Sequence, residues 1–508
     1  MIIAVADGCR IRVAIDLEEG WLLTIGSDHQ ALDLPVIVIV GGGVSGTAVA
    51  FHLLQNQPAR GSQLFIFEPR ERLGAGLAYD TQDPAHRINV PAAKMSLLPD
   101  DIEHFQRWLL ENDALVNDDA AVAVNGGFFP RRSVFGKYVN CMIRPFVENG
   151  RLLHIRQSVE RIQRTGDRWT VTGTDGQRVD ADILVIATSH PSPLPPQVLQ
   201  DALADHPRFI SDPTRPDALA AIRADDRVLI VGNGLTSADV IASLELRGHK
   251  GPVTAISRRG LRSRGHAAVK QEPFGDFATQ PSKTAVELLR SVRTAIRKAQ
   301  GEGRSWHAVI DQVRAQGGHV WHALPIAERR RLVRHLRPFW DVHRFRVAPQ
   351  VEAASEGALA SGRLEILAAS VAAVGVADGV IDCTLRLSRS ERSLERQFDA
   401  VVVTTGPGHR GILQSQGWID ELSKAGYLAM DPARLGFSCD TRSRALAGDG
   451  TLVPSLFISG PLARGTFGEL MGLPEVVEHA VLVADQVAGA IDDYRRGHGK
   501  AYLDSSAA

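Results

Sequence analysis

Apolar residues along the chain fall into two patterns. In the first, four or five aliphatic residues follow one another without a polar break and stop at a glycine or a short turn. Residues 36–40 (VIVIV) do this before Gly41, and residues 228–231 (VLIV) do it before Gly232. The stretches ADILVIATSHPSPLPP (181–196) and FDAVVVTTGPG (398–408) repeat the pattern. An unbroken apolar run predicts a parallel strand covered on both faces. In the second pattern, apolar residues recur at helical spacing just past a glycine turn. Val49, Phe51, Leu53 and Leu54 follow the first turn, and Ala238 to about Leu246 follow the second. Another strand closes each unit: QLFIFE, ending at Glu68, and residues 253–256. Strand, turn, helix and strand, twice over, predict an α/β fold with two dinucleotide-binding, Rossmann-like domains.

The remaining segments fit around these units. RWTVTGTDGQRVDADILV reads as a hairpin with an Asp-Gly turn that feeds a crossing strand. Residues from about 261 to 350 carry a helical pattern and form an insertion. SLFISGPLARGTFGELMGLPEVVEHAVLVADQVAGAI predicts a strand, a turn at Gly460 and a long helix. Residues 1–34 precede the first clear unit as a small hairpin or an arm, and 496–508 form a tail.

Composition narrows the class. At roughly 100–200 residues per domain, the chain has room for two to four domains. A net charge of −1 gives no global reason to expect nucleic acid as a partner. The four cysteines, Cys9, Cys141, Cys383 and Cys439, form no C-x-x-C pair. That argues against a disulfide scaffold, a zinc site and a dithiol redox centre, and fits a reducing cytoplasm. No metal site is expected. The longest apolar stretch, LPVIVIVGGGV, is far short of the roughly 18 residues of a membrane span. The charged N-terminus does not read as a signal peptide. Locally the balance shifts: residues 283–346 hold 14 Lys or Arg against 5 Asp or Glu. This is either a solvated helix face or a field that draws in anionic ligands.

The first glycine turn, Gly41-Gly42-Gly43-Val44-Ser45-Gly46, is a G-x-G-x-x-G motif. Gly41 permits a tight turn, Gly43 lets a pyrophosphate approach the backbone, and Gly46 lets helix and strand pack closely. The helix N-terminus, Ser45 included, offers N–H groups to phosphate. Glu68 ends the second strand 22 residues past Gly46 and can accept hydrogen bonds from a ribose diol. The second turn, Gly232-Asn233-Gly234-Leu235-Thr236-Ser237, replaces the third glycine by a serine small enough for close packing. Its second strand ends in Ser257, Arg258 and Arg259 instead of an acid. An acid at this position favours a free 2′-hydroxyl, whereas arginines pair with a 2′-phosphate and stack on adenine. The first unit therefore reads as FAD-binding and the second as NADPH-binding. The plain alternative for Arg258 and Arg259 is a solvated strand end.

The stretches at 181–196 and 398–408 resemble the crossings between FAD and NADPH domains in flavoproteins with two dinucleotide-binding domains. Ser189 stands where the first crossing usually has glycine, and Gly406 ends the second. The NADPH domain is then inserted into the FAD domain. The boundaries are 35–190 and 399–495 for the FAD domain and 191–398 for the NAD(P)H domain. Gly460 and Pro461 are placed near the ribityl chain.

GLAYDTQDPAHRINVPAAKMSLLPDDIEHFQRWL, FPRRSVFGKYV, GNGLTSADV, ISRRGL and HLRPFWDVHRFRVAP together resemble a bacterial group of FAD/NAD(P)-binding proteins. The group includes a flavin-dependent urate hydroxylase and is distantly similar to the class B flavin monooxygenases. The resemblance spans about 36–490. It implies an enzyme that takes hydride from NAD(P)H, passes electrons to molecular oxygen and hydroxylates a small organic substrate. It places Gly76, Tyr79, Asn89 and Met95 around the isoalloxazine ring, with loop packing as the alternative. The Baeyer–Villiger fingerprint F-x-G-x-x-x-H-x-x-x-W is absent before Arg227, which disfavours ketone oxidation.

For the substrate, FWDVHRFRV gathers Trp340, Asp341, His343, Arg344 and Arg346 within two helical turns. An anionic heterocycle such as urate can stack on a ring and pair with a guanidinium there. Arg344 is expected to meet substrate or NADPH phosphate, and His343 to exchange protons. The competing account makes Trp340 core and the arginines bridges between domains. The leading function is an NADPH-dependent FAD monooxygenase acting on a small polar or anionic metabolite. The alternatives are an NADPH-dependent flavin reductase or electron-transfer protein and a non-catalytic flavin or nucleotide sensor. Substrate identity and oligomeric state stay open.

Overall fold

The computed structural model describes residues 5–7, 10–12, 34–55, 61–124, 126–191, 193–388, 390–406 and 408–505. Two large sheets organise it. The first has six strands, in the order Arg444–Leu446, Leu452–Ile458, Ile183–Ile186, Val36–Val40, Gln63–Phe67 and Leu153–Ile155. The central pairs are parallel, with Ile37 opposite Ile183 and Val36 opposite Gln63. The unbroken apolar run of Val36–Val40 is explained by its two neighbourhoods. Ile37 and Ile39 face one core, with the helices Val44–Gln55 and Leu473–Ser505. Val38 and Val40 face the other, with the three-stranded sheet 159–181 and the segment 412–437.

The second sheet has seven strands and contains the other glycine unit. Its order is Phe209–Ile210, Ala400–Val403, Val228–Val231, Val253–Ser257, Leu364–Ala377, Val380–Leu387 and Ser393–Phe398. Again the buried run divides: Val228 and Ile230 face one core, Leu229 and Val231 the other. The chain is thus an α/β protein with two Rossmann-like domains, one inserted into the other. Five helices, Ala285–Gly301, Trp306–Ala315, Gly317–Ala323, Ile326–His335 and Arg337–Arg344, form the helical insertion. The first is fixed by a capping box between Thr284 and Glu287.

Two boundaries differ from the sequence reading. Ala400–Val403 pairs in parallel with Val228–Val231, so it completes the second domain. The return to the first domain comes after Gly406, and not at 399. The helix Leu473–Ser505 also runs through residues read as a tail. Near the start, Val5–Asp7 pairs antiparallel with Arg10–Arg12, and the rest of the extension lies outside the described residues.

The domains are joined by polar contacts. Arg132 pairs with Asp239 at 2.8 Å, Ser243 Oγ meets His86 Nε2 at 3.3 Å, and His266 Nε2 lies 3.0 Å from the Asn89 carbonyl. Among the described residues no helix is long and apolar enough to cross a membrane.

The first βαβ unit yields a stability test. A Cβ on Gly46 would lie 1.9 Å from the Gly41 carbonyl oxygen, and backbone cannot step aside as a flexible side chain can. Gly46→Ala is expected to cost about 1–3 kcal/mol or more, the range for overpacking. Urea denaturation of the wild type and the variant measures it.

Candidate functional site

The first glycine turn is enclosed by backbone from three parts of the chain. Gly41 has φ +102°, and a Cβ there would lie 2.8 Å from the Ala187 carbonyl oxygen. Gly76 has φ +52°, and its Cβ would sit 2.9 Å from the Gly43 Cα. Gly460 has φ +71°, and its Cβ would meet Ser45 Oγ at 2.4 Å. Pro461 follows in the short 3₁₀ helix Gly460–Ala463. Gly41, Gly43, Gly46, Ser45, Gly76, Gly460 and Pro461 are therefore brought together around one helix N-terminus.

Glu68 is buried at the end of its strand. Its carboxylate accepts from the Gly42 N–H at 3.0 Å and from the Arg70 guanidinium at 2.9 Å. Sequence reasoning did not identify His479, which holds the Gly460 turn from behind. Gly460 N–H donates to His479 Nδ1 at 3.1 Å, and Nε2 lies 2.7 Å from Ser443 Oγ. Burial pushes this imidazole down to about 4, which keeps it neutral and able to accept.

The residues placed around the flavin ring separate. Tyr79 packs on Phe135 with ring centroids 4.7 Å apart, and burial pushes its hydroxyl up to about 12. Asn89 is half-buried and gives its carbonyl to His266 across the domain boundary. Met95 is only 1% exposed inside the core of the first domain. It has no face to offer a ring, and its placement there is corrected.

At the second turn, Gly232 has φ +118°, and a Cβ would lie 2.4 Å from the Thr404 carbonyl oxygen. Gly234 is exposed, with nothing within 4 Å of where its Cβ would be. Ser237 is fully buried under the turn. Gly406 ends the neighbouring strand with φ +79°. Ser257 Oγ reaches the Leu261 carbonyl at 3.5 Å and shapes the turn past the strand. The two arginines diverge. Arg258 is exposed, with no hydrogen bond or ion pair to its side chain among the described residues. Arg259 lies over the Phe339 ring at 5.2 Å and ties the strand end to the insertion. One of the pair is free to meet a phosphate.

The insertion lines a partly open cavity of about 390 Å³ that abuts residues 464–471 of the first domain. Leu288, Val292, Ile310, Val313 and Leu332 supply its apolar wall, and Trp321 and Trp340 supply aromatic faces. Trp321 is anchored by its Nε1 to the Gly465 carbonyl at 2.9 Å. The cluster FWDVHRFRV divides across its helix. Trp340, Asp341 and His343 line the cavity, and His343 Nδ1 lies 2.7 Å from the Phe339 carbonyl oxygen. Arg344 turns away, 6% exposed, and pairs with Glu469 at 2.9 Å and Glu475 at 3.5 Å. Its charge is already matched by carboxylates, so the expectation that it meets substrate or phosphate is corrected. Arg346 pairs with Asp311 at 2.8 Å.

Sequence reasoning also passed over the polar end of the cavity, where Arg337, Arg464 and Glu469 stand. Burial and the nearby Arg337 push the Arg464 guanidinium down to about 10. Burial with the same two arginines pushes the His190 imidazole down to about 3.

Residues 38–191 match a family model described as FAD-NAD(P)-binding. No curated protein matches the sequence. Among solved structures, ornithine hydroxylase PvdA from Pseudomonas aeruginosa is similar at 18% identity with a TM-score of 0.58, over 90% of this chain and 98% of that one. The ornithine N-hydroxylase KtzI from Kutzneria sp. 744, described with reduced FAD, NADP+ and L-ornithine, has 18% identity and a TM-score of 0.58 over 91% and 100%. The cadaverine monooxygenase DfoA from Erwinia amylovora, bound to FAD, has 14% identity and a TM-score of 0.59 over 89% and 94%. The likeness is in the fold and extends over about nine-tenths of the chain.

The divergence of the two arginines gives a test. Arg258→Ala is expected to raise the apparent KM for NADPH by roughly 10- to 150-fold, the equivalent of a charged hydrogen bond, and to leave that for NADH nearly unchanged. Arg259→Ala is expected to have the smaller effect on that ratio. Steady-state kinetics with both nicotinamides decide, and equal effects of Arg258→Ala on the two would refute the phosphate role.

Proposed function

We propose that the chain is an NADPH-dependent FAD monooxygenase that oxygenates a small molecule held in the cavity under the helical insertion. The carrying observation is the opposite chemistry at two equivalent strand ends. A buried carboxylate, Glu68, stands beside the first glycine turn, and an exposed guanidinium, Arg258, stands beside the second. A carboxylate suits a ribose diol and repels a 2′-phosphate, whereas a guanidinium attracts one.

The residues present fit both groups. Gly41, Gly43, Gly46 and Gly76 leave the first turn without side chains over it, and the N-terminus of Val44–Gln55 points N–H groups into that space. Ser45, Gly460 and Pro461 close its far side. At the second turn, the open face of Gly234 leaves room for a pyrophosphate against the backbone. FAD, when bound, would supply the redox chemistry, taking hydride from NADPH and passing the two electrons to molecular oxygen, so that one oxygen atom enters the substrate and the other leaves as water. The protein binds, orients and excludes water. Tyr79 and Asn89 bound the ring site in this reading. His343 lines the cavity with one ring nitrogen already given to the Phe339 carbonyl, which leaves the other to exchange a proton with a bound molecule.

The fold shared with an ornithine hydroxylase and a cadaverine monooxygenase supports this reading. Urate, the planar anion that the sequence resemblance implies, would use the arginine end of the cavity and leave most of the apolar wall uncovered.

Anaerobic NADPH is expected to bleach the visible flavin band of the purified protein, faster than NADH does. Under oxygen-18 gas, turnover is expected to place one labelled atom in the product, read by mass spectrometry. Reduction of an added acceptor without label would support a flavin reductase. A flavin band that neither nicotinamide bleaches, even with substrates present, would support a sensor.

A further inference from the structure

We propose that the cavity takes an amphiphilic anion: a carboxylate that pairs with Arg464, joined to an apolar body that lies among the insertion helices. The inference rests on reading this cavity as the substrate site.

The first observation is the pattern of direct pairing at the polar end. Each carboxylate nearby is already engaged. Asp341 accepts from Arg337 at 3.3 Å, and Glu469 pairs with Arg344 at 2.9 Å. Glu475 is held by Arg314 at 2.9 Å and by Arg344 at 3.5 Å. Asp431 accepts the backbone N–H groups of Ala433, Leu435 and Gly436. Arg464 has Asp341, Glu469 and Asp431 near it but none in direct contact. It is 7% exposed, its Nε has no hydrogen-bond partner, and it has no ion pair within 4.0 Å among the described residues. It also lines the cavity. A buried guanidinium without a direct partner is costly to maintain, because carboxylates beyond contact offset only part of its desolvation. An anion arriving through the cavity completes it.

The second observation is the remainder of the wall. The helices contribute leucine, isoleucine and valine, with Trp321 and Trp340, and few polar atoms. A cavity of this kind strongly favours apolar bodies. At 390 Å³ it exceeds twice the roughly 150 Å³ of an apolar cavity that holds one benzene, so it has room for about two rings or an equivalent alkyl chain. A short polar amino acid would leave this wall uncovered. A neutral hydrocarbon would leave Arg464 unpaired.

The third observation is position. Arg464 follows the Gly460–Ala463 turn that faces Ser45, and its field reaches His190 at the crossing between the domains. The anionic end of a ligand therefore sits at the base of the cavity, next to the segments that bound the cofactor site, with the apolar body directed into the insertion.

Calorimetry on the flavin-loaded full chain tests this without turnover. Phenylbutyrate is expected to bind at least about tenfold more tightly than phenylbutanol, its uncharged counterpart. Aminohexanoate, which puts a second charge at the apolar end, and urate, which lacks an apolar body, are expected to bind at least about tenfold more weakly than phenylbutyrate. Arg464→Gln is expected to erase the preference for carboxylate over alcohol, while FAD content and NADPH affinity change less than about twofold. Arg464→Lys, which keeps the charge, is expected to retain part of the preference. Equal binding of acid and alcohol by the wild type overturns the proposal, whatever the variants do. So does an Arg464→Gln protein that loses FAD and not acid selectivity, because the arginine then serves the cofactor. Acid-selective binding with no NADPH-driven oxygenation would sink the monooxygenase reading and leave the ligand class standing.

Discussion

The contact on which the rest of the structure depends is backbone against backbone at the first glycine turn. Gly46 brings its helix against the Gly41 carbonyl, and Gly41 lies against Ala187 at the end of the next strand. Gly76 closes on Gly43 in the same way, and Gly460 closes on the side chain of Ser45. Segments from the start, the middle and the end of the first domain thus meet at glycines, where a larger residue would collide. Such approach is open only to glycine, and three of these positions also have φ values that L side chains rarely adopt. The helix N-terminus then faces a space bounded largely by main chain, which suits a phosphate group.

The second domain reuses the device with its chemistry changed at one point. Gly232 closes on Thr404 as Gly41 closes on Ala187. Past its second strand stands an exposed arginine, where the first unit has a buried glutamate. The inter-domain contacts fix where the two turns stand relative to each other. Arg132, at the start of the helix Arg132–Glu148, reaches Asp239 in the helix of the second turn. Both partners are largely buried, so removal of one leaves an unmatched charge at the joint.

Much of this was legible because it is local. Strand, glycine turn, helix and terminal residue occur within about forty residues in each unit, and each is dictated by sterics or by cover on both faces. The assignment of Ala400–Val403 was misread because its sheet is chosen by a partner some 170 residues away, at Val228–Val231. Met95 and Arg344 were misplaced for a similar reason. A methionine in a loop and an arginine on a helix are classified by burial and by distant partners, here Glu469 and Glu475, which spacing along the chain does not reveal. His479 was passed over because a histidine in a long helix has no local mark. Its function comes from Gly460, 19 residues earlier, and from Ser443.

Arg344 and Arg464 show how far residue type alone carries. Both are arginines that share Glu469 as a neighbour, both are nearly buried, and both have a guanidinium pushed down by desolvation, but only Arg464 lines the cavity. Their difference is in the partners. Arg344 draws together Glu469 and Glu475, so its charge holds the insertion to the first domain. Arg464 comes just after the turn at Gly460 and finds every nearby carboxylate already taken. Arg344 therefore holds the insertion against the first domain, beside the cavity that Arg464 lines. In the proposed reading the two arginines have separate tasks: the paired one fixes the wall of the site, and the one without a direct partner would answer to the charge of the ligand.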